Sequence, residues 1–192
     1  MGINGKTETI IEFDADDDKA VFNGGVVVDA SHFYEWDVIT PKDRLDSSRL
    51  ADATKLAWDE RASYTVQLPD SFMTSTPERL ILTMANINVE RVPEIQIELQ
   101  TSDGVSVQRP LDDFMPFPPV ITTDYTPFGI FDEIFRDGKY EKSWEPIFQT
   151  FTVPMESVER EEPTFDRNKI TKISLHFISN PGEILIEGIG YE

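Results

Sequence analysis

The chain has 192 residues and carries 36 Asp and Glu against 17 Lys and Arg, a net charge of −19. That balance repels phosphate backbones and anionic lipid, which argues against nucleic acid and membrane surfaces as partners. Zero cysteine excludes disulfides, thiolate metal sites and Cys nucleophiles together.

The 39% hydrophobic content, with 13 Phe, 5 Tyr and 3 Trp, is enough to build a real core despite the charge. No apolar run reaches the roughly 18 residues of a membrane-spanning helix. A single domain over residues 7–192 is expected, with 1–6 a flexible start. Met1–Lys6 is too short and polar to be a signal peptide. Absence of cysteine nevertheless favours a bacterial exported protein, extracellular or at the cell surface, that avoids stray thiols.

In chain order, Thr7–Phe13 is a short β-prone run that ends in Asp14, Asp16, Asp17 and Asp18. Val21–Asp29 is a second strand, with Gly24-Gly25 marking a bulge or close approach. The aromatic, charged stretch from about 30 to 58 is expected to be a long loop excursion, with a short helical turn within Ser47–Trp58. Alternation then resumes at Ala62, Tyr64, Val66 and Leu68, at Leu80, Leu82 and Met84, and at Ile95, Ile97 and Leu99. Asp103-Gly104 is a strong hairpin signal ahead of Val105–Arg109.

Residues 110–146 hold many prolines and aromatics and are expected to form a packed excursion, with one helical turn in Gly129–Arg136. Gln149–Met155 is a strand with Phe151, Val153 and Met155 on one side. At the C-terminus Ile173, Leu175 and Phe177 alternate with Ser174 and His176. Asn180-Pro181-Gly182 turns the chain, and Ile184 and Ile186 resume the pattern until Glu187-Gly188 breaks it as a bulge would. Short strands separated by turn signals, with little helix, predict an all-β fold. A two-sheet antiparallel β-sandwich is favoured, with the terminal strands as neighbours, and an up-and-down barrel is the competitor.

Catalytic chemistry is poorly supplied. There is no G-x-S-x-G elbow and no cysteine, and the only bases of the right kind are His32 and His176. His176 lies at the outward positions of a strand, where solvation or cross-strand pairing is the better reading. His32 reads as an ordinary loop histidine. No catalytic residue is assigned. Two isolated histidines cannot furnish a tetrahedral zinc site. The Asp14-x-Asp16-x-Asp18 run fails as an EF-hand because Lys19 and Gly25 occupy the positions that need Gly and Glu.

Sugar rings stack on aromatic faces while their hydroxyls need acids and amides. Tyr34 and Trp36 with Asp37, and Tyr140 and Trp144 with Glu145, are the expected ligand-binding residues; Tyr125 is a further aromatic of the second loop. Core or loop packing competes at each. Trp58 is expected to cap the core.

The run Trp58-Asp59 into Tyr64-Thr-Val-Gln-Leu-Pro69, then Leu80-Ile-Leu-Thr-Met-Ala85, Gln149-Thr-Phe-Thr-Val-Pro-Met155, Ile170–Phe177 and Gly182–Tyr191 resembles the carbohydrate-binding-module superfamily with the galactose-binding-like jelly roll. The resemblance covers most of the domain strand by strand. It implies a jelly-roll fold and a non-catalytic accessory domain of an exported hydrolase that binds neutral polysaccharide. It further implies a structural calcium tying the first strand to the last, with Glu12 and Asp14 at the early position and Glu187 at the late one. Where many such domains carry two adjacent aspartates this chain has Glu187-Gly188, which removes a carboxylate. A solvated acidic edge that discourages strand addition is the competing reading. Two other functions stay open: a module that docks on a partner or catalytic domain without touching sugar, and a small autonomous hydrolase.

Overall fold

Period-2 alternation of apolar and polar residues becomes two packed antiparallel sheets. The computed structural model describes residues 8–12, 20–23, 27–29, 33–36, 49–68, 76–123, 143–179 and 181–192; the side chains it describes are those of 53, 55–68, 76–121, 146–179 and 181–192. In chain order the strands are β1 (Glu8–Glu12), β2 (Ala20–Asn23), β3 (Val27–Asp29), β4 (Phe33–Trp36), β5 (Arg49–Asp52), β6 (Thr54–Trp58), β7 (Ala62–Gln67) and β8 (Arg79–Asn86). They continue as β9 (Ile95–Thr101), β10 (Ser106–Pro110), β11 (Ile121–Thr123), β12 (Ser143–Glu145), β13 (Gln149–Pro154), β14 (Ile170–Phe177) and β15 (Gly182–Tyr191). One short helix, α1 (Met155–Glu161), and 3-10 turns at Leu111–Asp113 and Arg167–Lys169 complete the described elements.

Among the described residues, one sheet runs β13-β8-β15-β6-β3 with β1 also on β15, and the other runs β10-β9-β14-β7-β2. Two separate ribbons, β4-β5 and β11-β12, stand apart from both. The inward residues fill one core between the sheets: Tyr64, Val66, Leu82, Met84, Ile97, Leu99, Phe151, Val153, Leu175, Phe177, Ile184 and Ile186 are all buried.

The expected sandwich is therefore present. Its terminal strands are neighbours, with Glu8 opposite Tyr191 and Glu12 opposite Gly188. The break at Glu187-Gly188 is a register shift of β15 against β8 between Ile186 and Gly188. The Asp103-Gly104 hairpin joins β9 to β10, with Gly104 at φ +88°, a conformation that favours glycine.

Several expectations fail. Val21–Asp29 is not one strand: β2 pairs with β7 in the smaller sheet and β3 with β6 in the larger, and the stretch from 30 to 58, expected as a loop, contains β4, β5 and β6. Ser47–Trp58 holds no helical turn: residues 49–52 form β5 and 54–58 form β6, and β6 is a full member of the larger sheet. The mixed spacing there reflects a strand whose two faces differ little, with Leu56 and Trp58 buried while Lys55 and Ala57 are half-buried. Met155 belongs to α1, because Pro154 ends the ladder and the chain turns into a helix that buries Met155 and Val158. The proposed turn at Gly129–Arg136 lies outside the described residues.

The two outer faces differ in kind. On the larger sheet Leu185 points away from the core, yet it is buried in a second small cluster with Ala53, Ala85 and Ile87, against which Phe148 packs. The outer face of the smaller sheet is polar.

Candidate functional site

Strand register writes that polar face row by row. Gln108 of β10, Glu98 of β9, Ser174 of β14 and Thr65 of β7 lie side by side. The row on one side of it holds Pro110, Gln96, His176 and Ser63, and the row on the other side holds Ser106, Gln100, Lys172 and Gln67. Because successive side chains alternate faces, the residues that place Ile97, Leu99 and Leu175 inside necessarily place Gln96, Glu98 and His176 outside.

Cross-strand hydrogen bonds order this face. His176 Nε2 lies 2.7 Å from Glu98 Oε2, and the Ser106 hydroxyl donates to Glu98 Oε1. Gln108 Nε2 donates to Gln96 Oε1 at 2.6 Å, and the Thr65 and Ser174 hydroxyls are 2.9 Å apart. The Ser106 hydroxyl, with help from His176 and Lys172, holds the Glu98 carboxyl below the usual glutamate range against a smaller opposing effect of burial. An ionised carboxylate only accepts hydrogen bonds, so His176 Nε2 carries the proton and Nδ1 is left as an acceptor while the ring is neutral.

At the end of the face where β7, β9 and β14 meet their loops, an open cleft of about 580 Å³ is lined by Arg61, Ser63, Glu94, Gln96, Gln108 and His176, with Ala62, Phe177 and Ile178 beneath. This size falls within the roughly 300–1,000 Å³ typical of ligand clefts.

The loops around the cleft are tied down. Asn86 is buried, and its amide donates to the carbonyls of Asn88 and Arg91 at 3.2 and 3.1 Å while accepting from the Asn88 amide at 2.9 Å. Asn88 Oδ1 then accepts from the amides of Glu90 and Arg91. Glu94 is anchored by its amide on Ser179 Oγ and by its carbonyl, which accepts from the Ile178 amide, both at 2.9 Å. Trp58 lies below, stacked on Phe177 with ring centres 4.0 Å apart, and its indole N–H donates to the Ser179 carbonyl at 2.7 Å.

Charge in the cleft is balanced in a strongly acidic protein: among its lining residues Arg61 matches Glu94. Among the described residues the Arg61 and Glu94 side chains make no hydrogen bond or ion pair, so their heads are available to a ligand.

Of the ligand residues expected from sequence, Tyr34, Trp36, Trp144 and Glu145 lie on the two short ribbons outside the main sheets. Tyr34 and Trp36 are on β4, opposite Ala51 and Arg49, two apart and so on one face of that ribbon. Trp144 and Glu145 are on β12, opposite Thr122 and Ile121. Asp37, Tyr140, Asp14 and His32 lie outside the described residues. Among the described residues no strand pairing joins the two ribbons. His176 is cross-strand paired, as its outward position implied. Its bond to Glu98 is the one side-chain hydrogen bond it makes among the described residues, and no hydroxyl is joined to its ring.

Of the proposed calcium ligands, Glu12 stands opposite Gly188, next to the exposed Glu187 at the bulge. The backbone thus brings two acidic positions onto neighbouring strands. Arg61, Glu94, Gln96 and Gln108 were not anticipated. They fall on the outward half of the same alternation that revealed the core, and nothing in the sequence separates them there from solvated side chains.

No family model matches the chain, and no curated protein matches it by sequence. Among solved structures it resembles the family 30 carbohydrate-binding module of a cellulosomal cellulase of Clostridium thermocellum, with 8% identity, a TM-score of 0.54, and 98% of each chain covered. The chain shares the β-sandwich fold of that module. A family 11 carbohydrate-binding module from Clostridium thermocellum, in complex with a β-1,3-1,4-mixed-linked tetrasaccharide, aligns with 10% identity over 98% of this chain and 96% of its own, at a TM-score of 0.49.

Proposed function

We propose that this domain binds a neutral polysaccharide in the cleft on the outer face of β10-β9-β14-β7-β2, and does no chemistry on it. The observation that carries the reading is the convergence of unspent polar groups in one open, charge-balanced cleft: the Arg61 guanidinium, the Glu94 carboxylate, His176 Nδ1 and the free ends of the Gln96 and Gln108 amides. Sugar hydroxyls both donate and accept, and a mixed array of this kind serves both roles. Balanced local charge favours a neutral chain, since the rest of the molecule repels anions.

The structural neighbour at TM-score 0.54 is a module of a cellulase, which supports an accessory role beside an exported hydrolase. An extracellular or cell-surface location goes with that role. Among the described residues no helix is long and apolar enough to cross a membrane. Tyr34, Trp36, Tyr140 and Trp144 remain further contacts that would add stacking, and Asp37 and Glu145 would accept hydrogen bonds from sugar hydroxyls.

The test is calorimetry or affinity electrophoresis against neutral glycans. Arg61→Ala and His176→Ala should each weaken binding about tenfold, the effect of losing one charged or buried-side hydrogen bond. Trp36→Ala and Trp144→Ala report separately on the ribbon aromatics. Retention on no glycan by a folded protein would overturn the reading, and tight binding to a hydrolase domain would then favour docking.

A further inference from the structure

Two neighbouring glutamine amides line the cleft. Gln108 and Gln96 sit on adjacent strands and share a single hydrogen bond, from Gln108 Nε2 to Gln96 Oε1 at 2.6 Å. That bond leaves the Gln96 NH2 as a donor and the Gln108 carbonyl as an acceptor, with no other side-chain partner among the described residues. The conclusion does not depend on how the two amides are oriented. If both were flipped, the donor and acceptor would exchange residues and one of each would still be left. Both side chains line the cleft beside His176.

We propose that the Gln96–Gln108 pair recognises a vicinal diol, two free hydroxyls on adjacent ring carbons, so that the domain selects 4-linked over 3-linked neutral pyranose chains. One hydroxyl accepts from the free NH2 while its neighbour donates to the free carbonyl, a bidentate match for a pair of groups one carbon–carbon bond apart. A pyranose linked through O1 and O4 keeps its 2- and 3-hydroxyls free and adjacent. One linked through O1 and O3 has no adjacent free pair inside the chain. The Glu98 carboxylate fixes the His176 ring next to this couple, so a hydroxyl beyond the diol has an acceptor at Nδ1. The inference rests on the carbohydrate reading of this cleft.

The experiment compares retention of the protein on soluble glucomannan, a neutral 4-linked chain, with retention on a soluble 3-linked β-glucan. A third arm uses glucomannan oxidised by periodate and then reduced. Periodate breaks the carbon–carbon bond between adjacent hydroxyl-bearing carbons, and reduction of the resulting aldehydes prevents their reaction with lysine. Expected are binding to intact glucomannan, loss of most of it after oxidation, and weak binding to the 3-linked chain. Gln96→Leu and Gln108→Leu should each weaken glucomannan binding roughly 3–10-fold, the value of one neutral hydrogen bond. The double variant should lose little more than either single one, because the diol needs both ends. The oxidised glycan tests the idea on an unaltered protein, so a variant that folds poorly leaves the result readable. Equal binding before and after oxidation, or to both linkages, would overturn the diol reading while Arg61→Ala and His176→Ala could still confirm the cleft. Retention on no glycan would overturn both.

Discussion

Gly182 opens β15 directly beneath the Trp58 indole, and the fit leaves no room for a side chain. A Cβ at position 182 would lie 2.6 Å from Trp58 Cε2 and closer still to Cζ2. Trp58 has no free direction in which to yield, because Phe177 is stacked on it and its N–H is committed to the Ser179 carbonyl. Gly182→Ala should therefore destabilise the fold by about 1–3 kcal/mol, the cost of overpacking a filled core, read as a lower midpoint in urea. Because Phe177 and Ile178 floor the cleft, the same variant should also weaken glycan binding. A midpoint equal to that of the parent would show that the indole can move aside. The sequence made Trp58 legible as a core cap, since a lone Trp just ahead of an alternating strand has few other uses. It did not make Gln96 or Gln108 legible as binding groups. A glutamine at an outward strand position looks the same whether it faces water or a partner, and only the pairing of β9 with β10 brings the two amides together diagonally across the strands.

At the scale of elements, the strands with clean alternation were readable, and the errors cluster where a tertiary feature ends or interrupts a ladder. Pro154 stops β13, and the chain enters α1, whose exit is locked by a bidentate pair. Arg167 Nε donates to Glu159 Oε1 at 2.8 Å, and its Nη2 is bonded to Glu159 Oε2. Asp166 accepts from the Asn168 amide at 3.0 Å and caps the 3-10 turn that leads into β14. The Arg167 hydrogen bonds hold the Glu159 carboxyl below its ordinary range. The Ser106 hydroxyl does the same to Glu98. Such lowered carboxylates add stability that is complete above their unfolded pKa and disappears as pH falls through the lower folded value. Thermal stability should therefore be flat near neutrality and fall below about pH 4–4.5, the unperturbed carboxylate range. Arg167→Ala should lower the melting temperature at pH 7, and its difference from the parent should shrink in acid once Glu159 is protonated. A difference that stays constant from pH 7 to pH 3 would assign the loss to packing of the Arg167 stem instead of to its charge.

For the whole molecule, the decisive feature is closure by the chain ends. β15 lies between β8 on one edge and β6 and β1 on the other, so the first strand and the last are held together by a ladder through Glu8–Tyr191 and Glu12–Gly188. This closure was legible because the last strand alternates to the end of the chain, which argues that it is paired on a buried face. The β1 side of the ladder is short and carries a register shift between Thr9 and Ile11, so it is the natural place for reinforcement. We propose that calcium supplies it, bound by Glu12, Asp14 and Glu187 with backbone carbonyls, hard oxygen donors of the kind the ion takes. Binding to the folded chain alone stabilises by mass action, about 2.7 kcal/mol at a hundredfold excess over the dissociation constant. The melting temperature should accordingly rise between excess EDTA and millimolar calcium, and magnesium, which demands a smaller and more regular shell, should do less. Glu187→Gln should abolish the calcium-dependent part of the shift while leaving the melt in EDTA unchanged or slightly raised, since it removes a carboxylate from an acidic edge. The same melt in EDTA and in calcium would dismiss the ion and leave Glu12 and Glu187 as charges that keep another strand from adding to β1.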